Sequence, residues 1–315
     1  MIVTVTLNPA VDKTIEIEGF AIGSVNRVSS VRLDAGGKGI NVSKVIQSLG
    51  GSSRAVAVLA GRSGGFIKEY LDAAGIENHP VYVEGETRTN IKVVDKKNKT
   101  NTDINENGPL IPEESLKEAA DKFSEGLEAG DVLVLSGSIP KNVDKAIYKT
   151  WIEKAKEKGV KAILDADGGR FREGIKAGPY LIKPNIRELE EFFGHELKGT
   201  KETVEYAEKL FEYGIEIIVV SLGGDGALFI KKDCAILAHG MKVKVESTVG
   251  AGDSMVAALA FAIEQGYCFE ETVRLAAACG TASVMTKGTQ AAGLDLINEL
   301  KEKVTIEYIN SERVC

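Results

Sequence analysis

The chain has 315 residues, a length that suits one large α/β domain or two smaller ones. Hydrophobic residues make up 43% of it and charged residues 27%, which is ordinary for a soluble globular protein. The formal net charge of −7 argues against a nucleic-acid-binding protein, because such proteins need a basic face. A few local cations would still suffice to bind an anionic substrate.

Targeting and metal-binding patterns are sparse. No stretch approaches the about 20 apolar residues of a membrane span, and the N-terminus reads as a strand without the features of a signal peptide. The four cysteines form no CxxC pair, and with three histidines this argues against a zinc site. We therefore expect a cytoplasmic protein that contacts neither a membrane nor nucleic acid.

Apolar periodicity predicts the elements in chain order. The first part contains a strand over residues 2–7, short polar-alternating strands at 14–17 and 25–28, a helix over 40–49, a strand over 55–59, a helix over 65–74, and short strands within 80–106 that turn at 96–99. The second part contains helices over 112–127, 143–158, 186–193, 200–213 and 254–264, strands over 132–135, 161–165, 180–183 and 215–221, a hairpin over 227–239, and a frayed tail over 310–315.

Unbroken apolar strands that alternate with amphipathic helices indicate an α/β fold, with a central, mostly parallel sheet flanked by helices on both faces. The short polar-alternating strands do not fit this rhythm. They predict a small accessory β-sheet built from residues 12–34 and 84–104. The main domain then comprises residues 1–11, 35–83 and 105–310.

Polar and glycine residues follow several predicted strands at the point where each strand ends. They lie in residues 136–140, 165–167, 183–188 and 221–226. Ligands of open parallel sheets bind beyond the carboxyl ends of the strands, so these loops predict a ligand site at one edge of the sheet. A single loop of this kind is equally well explained as an ordinary polar connection.

The segment from Thr248 to Asp253 is the sharpest chemical feature. Gly250 and Gly252 directly precede a strongly apolar helix, and backbone N–H groups at a helix N-terminus bind anions. A carboxylate beside such an anion hole is what phosphoryl transfer to a hydroxyl needs, and the helix N-terminus should favour its ionised form. Alone, Asp253 is equally well explained as a residue that complements the helix dipole.

The common nucleotide-binding motifs are absent from the sequence. No GxxxxGK[ST] occurs, since the only Gly-Lys pair is Gly37-Lys38, and no GxGxxG follows the first strand. His79, His195 and His239 are scattered and are interpreted as surface residues. The segment Lys287-Gly288-Thr289 follows a helix, and a helix C-cap and an adenine contact explain it equally well.

Six segments together carry a family resemblance. They are residues 6–12 (TLNPAVD), 36–42 (GGKGINV), 136–140 (SGSIP), 183–189 (KPNIREL), 221–223 (SLG) and 247–254 (STVGAGDS). In this order, over nearly the whole chain, they resemble the ribokinase-like carbohydrate kinases of the phosphofructokinase-B type, in the 1-phosphofructokinase and tagatose-6-phosphate kinase branch. The resemblance implies a ribokinase-like fold whose accessory sheet is a lid that closes over the sugar and often pairs between subunits in a homodimer.

The resemblance also implies roles on the sugar side. Asp253 would be the catalytic base, with Gly250, Ala251 and Gly252 forming the anion hole and Lys38 neutralising the transferring phosphate. Arg88 and Arg27 would clamp the phosphate already on the substrate, although each arginine can also be explained as a solvated charge on a strand face. The remaining sugar-binding residues would be Asp12, Gly37, Lys38, Asn41 and Ser138.

On the nucleotide side, the resemblance implies ATP as its Mg²⁺ complex. Lys183 and Asn185 would approach the phosphates, and Glu188 with Asn185 would hold the hydrated Mg²⁺. An exposed helix-face glutamate explains Glu188 as well. The ATP loop would be shaped by Ser221, Gly223, Gly226, Thr248 and Gly252.

The implied reaction is phosphorylation of a ketohexose monophosphate by ATP, preferably fructose 1-phosphate. Tagatose 6-phosphate remains open as the alternative substrate, and a 6-phosphofructokinase activity is a third possibility. A non-catalytic sugar-phosphate sensor would be expected to lose its catalytic residues, yet Asp253, Asn185 and Glu188 are all present.

Overall fold

The structure is a computed structural model and describes residues 1–309, so the predicted tail at 310–315 lies outside the described residues. Its strands are β1 Ile2–Thr6, β2 Ala10–Ile17, β3 Val28–Gly36, β4 Arg54–Leu59, β5 Glu77–Asn78, β6 Val81–Tyr82, β7 Arg88–Asp95, β8 Thr100–Asn105, β9 Val132–Ser136, β10 Lys161–Asp165, β11 Leu181–Ile182, β12 Ile217–Ser221, β13 Gly226–Lys231, β14 Cys234–His239 and β15 Ile306–Tyr308.

The helices are α1 Lys38–Ser48, α2 Gly61–Ala73, α3 Glu113–Ser124, α4 Ile147–Glu157, α5 Gly168–Gly174, α6 Ile186–Phe193, α7 Gly199–Glu208, α8 Ala251–Gln265, α9 Phe269–Val284 and α10 Leu294–Lys301. Short 3₁₀ helices lie at Ile175–Ala177, Lys209–Tyr213 and Gly223–Asp225. Within residues 1–309, none of the helices combines the length and apolar character that a membrane span requires.

One large sheet organises the molecule, in the order β15-β14-β13-β12-β11-β10-β9-β1-β4-β5, with β6 also paired to β4. In this spatial order, all strands from β12 across β1 to β5, together with β6, pair in parallel. The three strands at the other edge, β13, β14 and β15, pair antiparallel. This confirms the predicted mostly parallel sheet. The chain leaves β1 toward β4 and later returns to its other side at β9, so β1 is a switch point where a crevice opens beyond the strand ends.

Helices cover both faces of this sheet, as the apolar strands require. On one face α3 to α7 enclose a core that contains Phe123, Tyr148 and Trp151. On the other face α1, α8, α9 and α10 pack over residues such as Val134 and Val219. Each fully buried side chain of this size contributes about 1.5–3 kcal/mol, so the sheet is a rigid base for the loops at its edge.

The second sheet has four strands in the order β3-β2-β7-β8. Its side chains alternate as the pattern predicted: Asp12, Asn90 and Asp103 face a cleft against the main sheet, while Leu33 and Ile104 are about half exposed on the opposite face. A small core joins it to α2 and β4 through Val11 and Ala35.

Several predicted boundaries were wrong. No strand forms at residues 25–27, because β3 begins at Val28 after an exposed connection, and β2 already begins at Ala10. The helix predicted over 254–264 begins at Ala251, since glycine at position 250 serves as its N-cap. The helix predicted over 143–158 begins only at Ile147, after turns, and α5 was not predicted.

Candidate active site

A cleft of about 500 Å³ lies between the carboxyl edge of the main sheet and the polar face of the second sheet. The strand ends of β10 to β12 and the N-termini of α1, α6 and α8 form its floor. It is lined by twelve of the predicted site residues: Asp12, Gly37, Lys38, Asn41, Arg88, Lys183, Asn185, Glu188, Ser221, Gly250, Gly252 and Asp253.

Gly37 sets where α1 begins. Its φ of 116° is in a region that favours glycine. A Cβ atom there would lie 2.8 Å from Thr6 Cγ2, so only glycine lets the helix start this close to β1. Lys38, the first residue of the helix, consequently projects from the floor of the cleft.

Two lysines share one buried carboxylate on this floor. Lys38 Nζ lies 3.0 Å from Asp165 Oδ2, and Lys183 Nζ lies 3.2 Å from Asp165 Oδ1. Burial would raise the pKa of Asp165, but the two lysines outweigh it and hold that pKa below its usual value. Burial opposes the charge of Lys38, whose pKa is nevertheless raised, chiefly by Asp165. The group carries one net positive charge and suits a phosphate oxygen.

Asp253 lies in the first turn of α8 and is 7% exposed. Asn41 Nδ2 donates a 2.8 Å hydrogen bond to its Oδ2 atom. Burial raises the pKa of Asp253, and Lys38 only partly offsets this effect. The predicted preference of a helix N-terminus for the ionised form is thus opposed by the burial of the carboxylate, and the pKa of Asp253 lies above its usual value. Asp253 is consequently a stronger base than an exposed aspartate.

The N-terminus of α8 supplies anion donors. Gly250 is the N-cap with a φ of 83°, and the first N–H groups of a helix have no acceptor within it. Gly252 lies next to Lys183, whose Nζ would be 3.2 Å from a Cβ atom at that position. Ala251 is the first residue of the helix. Backbone donors, Lys183 and Asp253 thus meet at one end of the cleft.

Arg88 lies where β7 begins and borders both the cleft and an adjoining hollow of about 290 Å³. Its guanidinium donates to the backbone oxygen of Asn8 from Nε and Nη2 and to Ser138 Oγ over 3.3 Å. Burial lowers the pKa of Arg88, although a guanidinium stays protonated. A cation held by neutral oxygens retains its charge for an anionic ligand, which suits the predicted phosphate clamp.

Asp12 projects from β2 into the cleft and accepts a 3.1 Å hydrogen bond from Asn90 Nδ2. Burial raises its pKa. Asn90 Oδ1 and Asn8 Oδ1 are buried atoms without a hydrogen-bond partner in the described structure. Unpaired buried oxygens of this kind are available to ligand hydroxyl groups.

Asn185 and Glu188 form a capping box at the start of α6. Asn185 Oδ1 accepts from the Glu188 backbone N–H, and Glu188 Oε2 accepts from the Asn185 N–H, both over 2.9 Å. Burial raises the pKa of Glu188. Among residues 1–309 no three His, Cys, Asp or Glu side chains are grouped to hold a metal ion. A hard cation that takes one carboxylate and several waters fits this donor set.

Six predicted residues do not line the cleft, among them Ala251, the first residue of α8. Ser138 lines the adjoining hollow. Gly223 begins the short 3₁₀ helix after β12, Gly226 is the first residue of β13, and Thr248 is exposed just before α8. Arg27 is exposed in the connection that precedes β3, outside both cavities, so a second phosphate clamp has no support within one chain.

Asp165 and Asn8 are site residues that our prediction missed. Asp165 was noted as a polar strand end, but its pairing with Lys38 joins residues 127 positions apart. Asn8 belongs to the strand stop at Asn8-Pro9, and its role follows only from the contact with Arg88. The available signal was the position of each residue at the carboxyl end of a buried strand.

The arrangement can support one type of chemistry. Paired lysines and helix N–H groups can bind a polyphosphate, and a buried carboxylate nearby can accept a hydroxyl proton. Arg88 can hold a second anionic group at the other side of the cleft. These are the parts of a phosphoryl transfer to a phosphorylated alcohol.

Comparisons with known proteins agree with this chemistry. A 1-phosphofructokinase of Bacillus subtilis is 37% identical, covering 96% of this chain and 99% of its own length, and one of Borreliella burgdorferi is 38% identical, covering 90% and 92%. The structure of phosphofructokinase-2 from Escherichia coli in complex with substrates and products superposes with a TM-score of 0.92 at 29% identity, covering 96% and 99%. The sequence model of the pfkB family carbohydrate kinases matches residues 5–295. Both the site and the sequence therefore lead to one conclusion: the chain belongs to the pfkB family of carbohydrate kinases.

Proposed function

We propose that the protein transfers the γ-phosphoryl group of ATP to fructose 1-phosphate and releases ADP and fructose 1,6-bisphosphate. The relatives that align over most of this chain carry the name 1-phosphofructokinase. The observation that carries the proposal is the meeting of Asp253, the α8 N-terminus and the Lys38–Asp165–Lys183 group on one side of a cleft whose other side holds Arg88.

Asp253 accepts the proton of the free primary hydroxyl of the sugar as that oxygen attacks the γ-phosphorus. Asn41 holds the carboxylate in place through its 2.8 Å hydrogen bond. The N–H groups of residues 250–253 and Lys38 stabilise the charge on the transferring group, and ADP leaves against Lys183. Since the transition state is loose, most of the rate enhancement comes from these electrostatic contacts and from positioning.

Arg88 recognises the phosphate at carbon 1 of the sugar. Its guanidinium can form two parallel hydrogen bonds to phosphate oxygens, which an ammonium cannot do. Ser138 and Asn8 hold the guanidinium, while Asp12, Asn90 and Gly37 contact sugar hydroxyls. The second sheet acts as a lid whose closure excludes water from the transfer.

Glu188 and Asn185 would hold Mg²⁺ through water. When bound, the ion neutralises charge on the β- and γ-phosphates of ATP. Glu188 keeps one carboxylate oxygen, Oε1, outside the capping box, so the box and an ion contact are compatible.

We further propose that the chain works in the cytoplasm as a homodimer joined through the lid. Both substrates are phosphorylated metabolites that do not cross membranes unaided. The outer lid face exposes Val31, Leu33 and Ile104 by 55%, 49% and 51%. Exposed apolar side chains on one face of a sheet are typical of a protein interface.

A substrate panel tests the proposal. We expect kcat/KM for fructose 1-phosphate to exceed that for tagatose 6-phosphate and for fructose 6-phosphate, with ATP as donor. A higher kcat/KM for either other sugar would overturn the choice of substrate. Absence of turnover with all three, at intact ADP binding, would support a sensor and overturn the kinase assignment.

A further inference from the structure

Lys44 is a buried lysine on α1 that the mechanism above does not use. It is 6% exposed and lies one turn after Asn41. A buried ammonium is costly unless its donors are paired. An ammonium has three N–H donors, and Lys44 Nζ has three oxygen acceptors within reach: Ala35 O at 3.0 Å, Asn41 Oδ1 at 3.4 Å and Thr289 Oγ1 at 3.5 Å.

These three acceptors come from three separate parts of the site. Ala35 lies at the end of β3, where the second sheet joins the main domain. Thr289 lies in the loop after α9 and borders the cleft. Asn41 is the partner of Asp253. Lys44 on α1 therefore contacts the end of β3 at the base of the lid, the loop after α9, and the asparagine that is hydrogen-bonded to the catalytic carboxylate.

The contact with Asn41 fixes the direction of its amide. An ammonium can only donate and a carboxylate can only accept, so the amide between Lys44 and Asp253 has one satisfied orientation. In that orientation Oδ1 receives the Lys44 proton and Nδ2 donates to Asp253 Oδ2. Without Lys44, the present amide orientation leaves Asn41 Oδ1 without a donor, and the flipped orientation places Oδ1 against the carboxylate of Asp253.

We propose that Lys44 is a positioning residue that acts through Asn41 to orient Asp253 and keep it ionised. The inference rests on the proposed role of Asp253 as base. It requires that Lys44 be protonated, and it makes the rate depend on a group that never touches the substrate.

The surroundings of Lys44 shift its pKa into a pH range that an activity assay can cover. Burial lowers the pKa of Lys44 to about 8, against the attraction of the surrounding carboxylates. The charged and titratable groups that face it are Asp34, Asp12, Asp253, Arg32 and Tyr70, the last with its ring centroid 5.4 Å from Nζ. The protonated fraction, and with it the rate, should therefore fall as the pH rises through about 8.

The test is the pH profile of kcat for the wild type, Lys44→Met and Lys44→Arg, with ADP affinity as the measure of an intact fold. We expect Lys44→Met to lower kcat by about 10- to 100-fold at unchanged ADP affinity, because Asp253 is displaced. Its acid limb should move to higher pH, since Asp253 loses a nearby cation. Lys44→Arg should keep the acid limb and lose the alkaline limb, because a guanidinium stays charged.

Three results would overturn the inference. They are a wild-type rate that does not fall through about pH 8, a wild-type profile in Lys44→Met, and an alkaline limb that survives in Lys44→Arg. If Lys44→Met fails to bind ADP, the wild type and Lys44→Arg decide. Asp253→Asn, measured alongside, distinguishes failure of the proposed base from failure of the proposed role of Lys44. If Asp253→Asn stays active, the assignment of Asp253 as base is wrong. If Asp253→Asn is inactive while Lys44→Met has normal activity, only the role of Lys44 is refuted.

Discussion

Individual charges in the cleft are set by their immediate partners. Asp165 stays ionised although it is 2% exposed, because Lys38 and Lys183 both contact it. Asp253, also buried, has no lysine in direct contact among the ion pairs of the described chain, and its pKa is raised. These two carboxylates are thus suited to different roles, Asp165 as a structural counter-ion and Asp253 as the proposed base.

Arg88 gives the first prediction, at the scale of one residue. Arg88→Ala should raise KM for fructose 1-phosphate by tenfold or more, because the substrate phosphate loses a hydrogen bond from a charged donor. KM for ATP should stay within about twofold of the wild type. Arg88→Lys should be intermediate, because it keeps the charge and loses the two-pronged geometry. Steady-state kinetics with each substrate varied would measure both, and equal weakening of the two substrates contradicts the clamp.

At the scale of an element, the N-terminus of α8 can be separated from the rest of the helix. Gly250 and Gly266 cap its two ends with φ of 83° and 69°, and a Cβ atom meets no close contact at either position. Alanine at each should therefore cost about 1–2 kcal/mol of unfolding free energy.

Only Gly250→Ala should also lower kcat, by tenfold or more, because it redirects the N–H groups that bind the transferring phosphate. Urea unfolding and kcat, measured on both variants, check this. A similar loss of kcat in Gly266→Ala would show that helix stability, and not the anion hole, controls the rate.

The capping box of α6 allows a second test on an element. Glutamine can replace glutamate at this position of a capping box, so Glu188→Gln should leave thermal stability nearly unchanged. It removes the charge that would attract hydrated Mg²⁺, so the Mg²⁺ concentration for half-maximal activity should rise severalfold. Titration of activity with Mg²⁺ measures the effect, and an unchanged requirement means that Glu188 serves the helix alone.

The elements that the sequence predicted well are those with a strong local pattern. The buried strands from β9 to β12 and the helix α6 appear where their apolar patterns placed them. The prediction of a strand at residues 25–28 was wrong because Val25 and Val28, separated by polar residues, resemble the pattern of a short strand. Val25, however, is 86% exposed and lies in a connection. Periodicity alone cannot separate an exposed apolar loop from a strand.

At the scale of the whole molecule, the exposed apolar residues on the outer face of the lid lead us to expect a dimer. The wild type should sediment as a dimer, and Leu33→Asp should shift it toward monomer because the charge would be buried in the interface. Leu294→Asp is the matched control, since Leu294 is a similarly exposed leucine on α10. A monomeric wild type at micromolar concentration, or dissociation in both variants, contradicts a lid-mediated dimer.

The assembly of the site as a whole was only partly predictable. Six sequence segments identified the loops that line the cleft and the adjoining hollow, because each loop carries its own motif. The pairings across the cleft were not predictable, since Asn41 and Asp253 are 212 residues apart and Lys44 and Thr289 are 245 apart. Such contacts depend on how the sheet and helices pack, which local patterns do not encode.

The central claim is that Asp253 is the base of a sugar-phosphate kinase, and Asp253→Asn tests it most directly. Asparagine keeps the shape of the side chain and can still accept the hydrogen bond from Asn41, so ADP and fructose 1-phosphate should bind with nearly unchanged affinity. Loss of the base should lower kcat by about 10²- to 10⁴-fold. A variant that binds both ligands and turns over within about threefold of the wild type would contradict the account.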